Sequence, residues 1–193
     1  MNIIRPESKQ PIPKNAKKVF SGILFDVYQW NQKLFDGKET TFEKLVRPDT
    51  VVIFPILEDG RILLTKQEQP GKVPFIGATG GRVDKGEDIL EAAKRELLEE
   101  SGYEAAEFVL WDAQHPTSKI DWVIYTFVAR RLKKIKEINP DSGEKIVLKP
   151  VSLDELIEIG TSGALIEKEI VSYLFEAKLY PKKKALLKQL LKP

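Results

Sequence analysis

Residues 81–103 read GRVDKGEDILEAAKRELLEESGY, and the interpretation of the whole chain starts from this stretch. Its glutamates Glu96, Glu99 and Glu100 follow the i, i+3, i+4 spacing that places side chains on one face of an α-helix. Neighbouring Cβ atoms at this spacing lie roughly 5–6 Å apart, so the carboxylates repel one another. The pattern therefore predicts a helix with a concentrated negative charge on one face.

This charge lies at the unfavourable end of the helix. The predicted helix runs from about Glu87 to Ser101 and stops at Gly102, so the three glutamates occupy its last turns. There the negative end of the helix dipole disfavours anions. A divalent cation resolves the conflict, because Mg²⁺ takes oxygen ligands and bridges carboxylates to substrate phosphates. We interpret the cluster as a metal site; a solvated acidic helix face is the alternative.

The opposite side of the same helix is apolar. Leu90, Ala93 and Leu97 recur at i, i+3 and i+7, which is the stripe expected to pack on a core. One face is therefore predicted to bind metal while the other anchors the helix.

Residues on both sides of the glutamates extend the pattern. Gly81, Glu87, Arg95 and Gly102 stand at fixed distances, which gives the spacing G-x5-E-x7-R-E-U-x-E-E-x-G-U, where U is apolar. This spacing is the signature of the Nudix hydrolases, which the chain resembles. The resemblance implies that Glu96, Glu99 and Glu100 bind Mg²⁺ or Mn²⁺ together with the backbone carbonyl of Gly80. It also implies that Glu87 and Arg95 form a pair that braces the loop against the helix.

The order of predicted elements is strands, one helix, more strands and closing helices. Strands are expected at Val19–Trp30, Thr40–Val46, Val51–Leu57, Arg61–Thr65, Glu107–Trp111, Trp122–Ala129 and Ile146–Val151, and further helices at Leu153–Ile159 and Ala164–Ala177. Asp36-Gly37 and Asp59-Gly60 are hairpin signals, whereas the Gly/Pro-rich stretch 70–81 is expected to be a loop. This order predicts an α+β fold with a mixed sheet between helices. The resemblance implies the Nudix α/β/α sandwich, preceded by a small antiparallel sheet.

Four segments are expected along the chain. They are a loose lead-in at 1–16, an N-terminal sheet at 17–48, the Nudix domain at 49–180 and a basic tail at 181–193. The tail, KKKALLKQLLK at 182–192, is a candidate amphipathic helix that is expected to pack on the parent domain or on a dimer mate.

The N-terminal sheet points to one subgroup of the family. The resemblance to enzymes that split ADP-ribose and related nucleoside diphosphate sugars implies that this sheet builds a homodimer and contributes to the substrate pocket. Candidate substrate-binding residues are Arg47 and Arg82 for phosphate, and Tyr28 and Trp30 for stacking on a base. Each has an ordinary alternative, a surface arginine or a core aromatic. Gln69 stands where many subgroup members carry a phosphate-binding arginine.

The general base is sought in a late loop. In the subgroup that the chain resembles, a glutamate on such a loop deprotonates the attacking water, and the stretch 139–144, NPDSGE, is the matching place. Glu144 is the first candidate. It could also be an exposed loop acid, and Glu99 or Glu100 could serve as the base instead.

The composition is that of an ordinary enzyme. The chain has 193 residues, 42% of them hydrophobic and 31% charged, with a formal net charge of +2. This balance argues against nucleic acid or membrane as the main partner. The absence of cysteine excludes disulfides, thiol catalysis and thiolate zinc sites. No signal-peptide pattern is visible at the N-terminus, so a cytoplasmic location is expected.

Together these features predict a Mg²⁺-dependent hydrolase of the pyrophosphate bond in a nucleoside diphosphate sugar, with ADP-ribose as the leading candidate. Another diphosphate compound, such as a GDP-sugar or a dinucleotide, is one alternative substrate. A Nudix-fold binding or regulatory module without hydrolysis is the alternative of a different class. The three glutamates argue against the module, since binding alone does not require mutually repelling ligands.

Overall fold

The computed structural model describes residues 3–138 and 143–193. In chain order the strands are β1 (Lys17–Ser21), β2 (Asp26–Lys33), β3 (Glu39–Val46), β4 (Thr50–Pro55), β5 (Ile62–Glu68), β6 (Phe75–Gly77), β7 (Thr79–Arg82), β8 (Tyr103–Gln114), β9 (Ile120–Asp121), β10 (Ile124–Lys134) and β11 (Lys145–Val151). The helices are α1 (Ile89–Ser101), α2 (Leu153–Thr161), α3 (Val171–Leu179) and α4 (Pro181–Leu190), and a 3-10 turn covers Lys168–Ile170. In the described part of the chain, none of the helices combines the length and the apolar character of a membrane span.

Strands β7, β4, β10 and β8 lie side by side, in that order, and form the central sheet. β4 and β10 run parallel, whereas β7 and β8 are antiparallel to their neighbours, so the sheet is mixed. β4 is buried on both faces: Val51 and Ile53 belong to one apolar cluster, and Val52 and Phe54 to another. Burial on both faces explains why β4 reads as an unbroken apolar run.

Helices cover the two faces of the central sheet. Ala93 and Leu97 of α1 are fully buried against one face. Leu156 of α2, Leu174 of α3 and Leu187 of α4 belong to the cluster on the other face. The predicted α+β class and the α/β/α sandwich around a mixed sheet are confirmed.

A second sheet, the N-terminal sheet, has the order β1-β2-β3-β9. Its first three strands are antiparallel, and the predicted turn at Asp36-Gly37 joins β2 to β3, with the Gly37 N–H donating to the Leu34 carbonyl over 3.0 Å. β9 comes from the connection between β8 and β10 and pairs parallel with β3. Ahead of this sheet, Arg5 donates to Asp49 over 2.9 Å and to Asp121 over 2.9 Å, which attaches the N-terminal lead-in to the body.

The third sheet, the small sheet, has the order β11-β5-β6. The chain leaves it at Gly77, the last residue of β6, and enters the central sheet at Thr79, the first residue of β7. A single residue, Ala78, therefore crosses between two sheets. Its peptide groups meet side chains: the Ala78 N–H donates to Glu167 Oε1 over 3.0 Å, and the Thr65 hydroxyl donates to the Gly77 carbonyl over 3.0 Å.

The predicted hairpin at Asp59-Gly60 forms only as a turn. The Leu57 N–H donates to the Arg61 carbonyl over 2.9 Å, and one isolated bridge joins Ile56 to Ile62. Beyond this bridge β4 belongs to the central sheet and β5 to the small sheet, because each strand pairs over a longer stretch with another strand.

The stretch 70–81, which was predicted to be a loop, contains the strands β6 and β7. Their glycines obscured the β pattern in the sequence.

The helix predicted at Ala164–Ala177 begins later than expected. The segment 164–167 is extended, with a bridge between Leu165 and Ile76 and a hydrogen bond of 3.0 Å from the Ile166 N–H to the Ile76 carbonyl. The helical conformation starts only with the 3-10 turn and continues into α3. Pairing with β6 therefore overrides the local helical preference.

The buried carboxyl group of Glu167 gives the stability of the protein a pH dependence. Burial raises its pKa from 4.5 to about 8, so the folded state favours the neutral form. This contribution to stability is complete below 4.5 and is lost as the pH rises through about 8. We expect Glu167→Gln to gain stability relative to wild type across this window, as measured by urea unfolding. Parallel stability curves for the two proteins would contradict this expectation.

Candidate active site

The signature glutamates lie on the last turns of α1, beside β7. Helix α1 begins after Asp88, whose side chain accepts from the Leu90 and Glu91 N–H groups, and it ends at Gly102. The predicted helix and its apolar stripe are confirmed to within two residues at the N-terminus. A cleft of about 480 Å³ opens at the acidic face; it is lined by Gly80, Gly81, Arg82, Asp84, Arg95, Glu96, Glu99, Glu100 and Glu144.

Two glycines of β7 allow close approach on two sides of the strand. A Cβ on Gly80 would collide with the backbone carbonyl of Val51 in β4, and a Cβ on Gly81 would collide with the carboxylate of Glu96 in α1. The Gly80 N–H donates to Glu100 Oε2 over 2.9 Å. Glycine at position 80 therefore fits β7 against β4, and glycine at position 81 lets a carboxylate of α1 lie against the backbone of β7.

Arg95 joins the loop, the strand and the helix. Its guanidinium holds the Glu87 carboxylate through two contacts of 2.9 and 3.0 Å and donates to the Arg82 carbonyl over 2.9 Å. It also contacts Glu96 at 2.8 Å and Glu99 at 3.2 Å. The hydrogen bonds from Arg95 lower the pKa of Glu87, which also accepts from the Asp84 N–H over 2.9 Å. The expected pair of Glu87 and Arg95 is thus in contact, and all three guanidinium nitrogens of Arg95 donate hydrogen bonds.

Burial dominates the electrostatics of the cleft. Burial first, with smaller contributions from neighbouring carboxylates such as Glu96 and Glu144, raises the pKa of Glu100 to about 8, although the hydrogen bond from Gly80 lowers it. Burial also raises the pKa of Glu96, against the lowering effect of Arg95. Arg95 is already shared with Glu87, so the acids outnumber the cations that reach them. Such a site favours the binding of an added cation.

The donor set consists of hard oxygen atoms, which suits Mg²⁺ or Mn²⁺. In residues 3–138 and 143–193, however, no three acidic or histidine side chains already converge on one point as a metal-binding group. The hydrogen bonds explain this, because Arg95 draws Glu96 and Glu99 to one side while Gly80 holds Glu100. Glu96, Glu99, Glu100 and Gly80 remain the residues that would hold a cation after small side-chain rotations.

Glu144 lies on the far wall of the cleft from α1. Its Oε1 accepts from the Gln69 amide over 2.7 Å, and Lys72 donates to the same amide group through Gln69 Oε1. Glu144 therefore lines the same cleft as the three signature glutamates. The preceding residues of the predicted base loop, Asn139 to Ser142, lie outside the described residues.

Arg47 and Arg82 both lie next to Thr50, the first residue of β4. Arg82 pairs with Thr50 across β7 and β4, and Arg47 Nη2 lies 3.5 Å from Thr50 Oγ1. The Arg47 guanidinium stacks over the Trp122 ring, with its carbon 4.3 Å from the ring centroid. Burial, followed by the charge of Arg82, lowers the pKa of Arg47. Neither arginine forms a salt bridge with a described residue, so both are available to an anion.

The two aromatic candidates are placed elsewhere. Trp30 is only 6% exposed and packs on Phe42, with ring centroids 6.1 Å apart. It is therefore a core aromatic, which was the alternative to base stacking. Tyr28 lies on β2 with Lys18 Nζ 5.5 Å from its ring centroid. A larger cavity, lined by residues that include Arg47 and Asp84, lies beside the acidic cleft. Neither aromatic is among the described residues that line the cleft or this cavity.

A family model of the NUDIX domain matches residues 46–173, which is well over half of the chain. The chain belongs to the Nudix family. The expectation of a Nudix pyrophosphohydrolase, drawn from the spacing of Gly81 to Gly102, is confirmed.

Several known proteins resemble this Nudix chain. The ADP-ribose pyrophosphatase of Bacillus subtilis (strain 168) is 27% identical over 146 residues, which cover 74% of this chain and 79% of that protein. The ADP compounds hydrolase NudE of Escherichia coli (strain K12) is 32% identical over 100 residues, which cover 50% of this chain and 53% of the relative. A crystal structure of an ADP compounds hydrolase superposes with a TM-score of 0.71 at 24% identity, covering 93% of this chain and 98% of that one, and supports the fold.

The sequence analysis missed Asp84, Glu167 and the contact that Gln69 makes, although it noted Gln69 as standing in place of an arginine. Asp84 lines both the acidic cleft and the larger cavity, Gln69 binds Glu144, and Glu167 binds the sheet-crossing peptide of Ala78. Asp84 could have been noticed as an acid inside the signature loop. Gln69 and Glu167 reach partners 75 and 89 residues away in sequence, so no local signal marks them.

The Arg95 brace can be tested by a substitution that keeps the charge. We expect Arg95→Lys to lower the free energy of unfolding by about 1.5–3 kcal/mol, because one ammonium group cannot reproduce the hydrogen bonds of the guanidinium fork. Urea unfolding measures the change. Lys94→Arg is the matched control, since Lys94 is exposed and its salt bridge among the described residues is to Glu91, and we expect it to stay within about 0.5 kcal/mol of wild type. Equal effects of the two substitutions would refute the brace.

Proposed function

We propose that this Nudix enzyme hydrolyses the pyrophosphate bond of a nucleoside diphosphate sugar with Mg²⁺ or Mn²⁺, and that ADP-ribose is its leading substrate. The observation that carries the proposal is the meeting of Glu96, Glu99, Glu100 and Glu144 in one cleft against the backbone of Gly80. The relatives named for ADP-ribose and for ADP compounds support the choice of substrate.

In this proposal Glu96, Glu99, Glu100 and the Gly80 carbonyl hold the cation. A bound divalent ion neutralises the diphosphate and lowers the pKa of a water molecule. Arg95 keeps the carboxylate face of α1 in place through Glu87 and the Arg82 carbonyl, without itself contacting the reacting atoms. The closed packing of α1 on β7 lets these groups act in a partly dehydrated cleft.

The proposed reaction needs one base. Glu144 accepts a proton from the attacking water, whose oxygen bonds to phosphorus while the bond from that phosphorus to the bridging oxygen breaks. With ADP-ribose the products are AMP and ribose 5-phosphate. The Gln69 amide keeps one oxygen of Glu144 in place and leaves the other for the proton. Glu99 and Glu100 are the alternative bases.

Substrate phosphate is assigned to Arg47 and Arg82. Arg82 lines the acidic cleft, and Arg47 lines a larger neighbouring cavity of about 700 Å³ that also reaches Asp84 and the loop after it. A cavity of this volume matches the size range of nucleotide-sized ligands. Gln69 is engaged by Glu144 and Lys72, so it does not replace a phosphate-binding arginine.

The oligomeric state and location complete the proposal. Phe20 on β1 and Ile23 in the turn after it are exposed by 59% and 103%, which suits a homodimer built through the N-terminal sheet. Tyr28 on the adjacent strand would then lie near the partner subunit. A cytoplasmic location is proposed, with nucleotide sugar rather than nucleic acid or membrane as the partner.

A substrate panel separates the three candidate functions. We expect release of phosphate, coupled to a phosphatase, from ADP-ribose with Mg²⁺ and none with EDTA. A GDP-sugar or a dinucleotide turned over faster would identify the alternative substrate class. No turnover of any compound, together with tight binding of one of them, would favour the non-hydrolytic module.

The signature carboxylates can be tested in the same assay. We expect Glu99→Gln to lower kcat by roughly 10²–10⁴-fold while the fold stays intact, because a ligand or base is neutralised. Glu91→Gln is the matched control on the same helix, where Glu91 is exposed and contacts Lys94. Near-normal activity of Glu99→Gln would reject the assigned role.

The base can be separated from the ligands. We expect Glu144→Gln to lower kcat by roughly 10²–10⁴-fold. We also expect Mn²⁺ binding, followed by electron paramagnetic resonance, to be unchanged, because Glu144 is not assigned to the metal. Gln69→Met should give a smaller loss of kcat with an unchanged KM. Loss of Mn²⁺ affinity in Glu144→Gln would make it a ligand instead.

A further inference from the structure

At Ala78, where the chain crosses between two sheets, the peptide groups need hydrogen-bond partners that neither sheet provides. Gly77 still pairs with β5, and Thr79 already pairs with β4, so the peptide groups between them belong to neither sheet. Buried backbone groups without partners are costly. The described structure meets this demand with two side chains, the Thr65 hydroxyl on the Gly77 carbonyl and the Glu167 carboxyl group on the Ala78 N–H.

Glu167 is an unusual choice for this task. Its side chain is more than nine-tenths buried, and its Oε2 atom has no hydrogen-bond partner among the described residues. A buried carboxyl group with an unsatisfied oxygen destabilises a fold. A hydrophobic residue there would avoid this cost but would leave the Ala78 N–H without an acceptor.

The crossing lies immediately before the metal-binding backbone. Thr79 anchors the next peptide by donating from its hydroxyl to the Ile53 carbonyl over 3.2 Å, and Gly80 then donates to Glu100 over 2.9 Å. Side chains from β5, from the extended segment before α3 and from α1 thus hold Gly77, Ala78 and Gly80, and Thr79 is held by its own hydroxyl. The position of Gly80 is therefore connected to Glu167 through only two peptide units.

We propose that Glu167 is a positioning residue of the active site: by accepting from the Ala78 N–H, it holds the sheet crossing and so sets where Gly80 lies against Glu100. This inference rests on the proposed function, because it assigns Gly80 and Glu100 to the cation. The inference assigns a role at the site to a residue outside the signature, which lies 89 residues after Ala78 in the sequence. Glu167 contacts neither substrate nor cation; it acts through the backbone.

The test uses Mn²⁺ binding to the full chain without substrate. Electron paramagnetic resonance gives the Mn²⁺ affinity, and labelling the 12 glycines with ¹⁵N allows the signals of Gly80 and Gly81 to be followed as Mn²⁺ broadens them. We expect Glu167→Leu to shift the Gly80 signal in the metal-free protein and to weaken Mn²⁺ binding roughly 10- to 100-fold, which is typical of residues that support metal ligands. Glu167→Gln keeps an acceptor oxygen and should bind Mn²⁺ within about threefold of wild type.

Matched controls make the result specific. Glu169→Leu changes an acid two residues away, in the 3-10 turn that follows Glu167, and no described hydrogen bond joins the Glu169 side chain to the crossing, so it should leave Mn²⁺ binding unchanged. Thr65→Val removes the hydroxyl that donates to the Gly77 carbonyl while nearly keeping the side-chain shape, and it should also weaken Mn²⁺ binding. This variant keeps the test valid if Glu167→Leu does not fold. Wild-type affinity in a folded Glu167→Leu or in Thr65→Val would overturn the proposal, as would equal losses in Glu167→Gln and Glu167→Leu. Failure of the wild-type protein to bind Mn²⁺ would instead refute the proposed metal site.

Discussion

The contact between the carboxylate face of α1 and the bare backbone of β7 is the constraint on which the site depends. A side chain at Gly81 would displace the Glu96 carboxylate from the strand, and one at Gly80 would collide with the β4 backbone that β7 pairs with. The apolar stripe of Ala93 and Leu97 presses the helix onto the central sheet from the same side. Hydrophobic burial therefore supplies the free energy that holds the like charges together.

Arg95 moderates this repulsion. A single guanidinium contacts acids from the loop and the helix and also a strand carbonyl, which no lysine can do with the same geometry. In this state Glu96 and Glu99 are turned toward Arg95. In the proposed function an added cation would therefore compete with the Arg95 guanidinium for the oxygens of Glu96 and Glu99.

The signature stretch could be interpreted from sequence because its information is local. Helical spacing located Glu96, Glu99 and Glu100, and the same periodicity assigned Leu97 to the core. Contacts between distant segments were beyond this reasoning. Nothing near Gln69 indicates that its amide meets Glu144, and Leu165 pairs with β6 although its neighbours favour a helix. Trp30 shows the same limit, since a strand aromatic can line a pocket or fill a core, and only packing decides.

The hydrogen bond from Ala78 to Glu167 spans 89 residues of sequence. During synthesis the strand that bears Gly80 leaves the ribosome well before Glu167 does, so the Ala78 N–H cannot have this acceptor until the segment before α3 has emerged. The acidic cleft therefore receives this support only when nearly all of the domain has been made. A nascent chain shorter than this carries the complete signature but not the scaffold that shapes it.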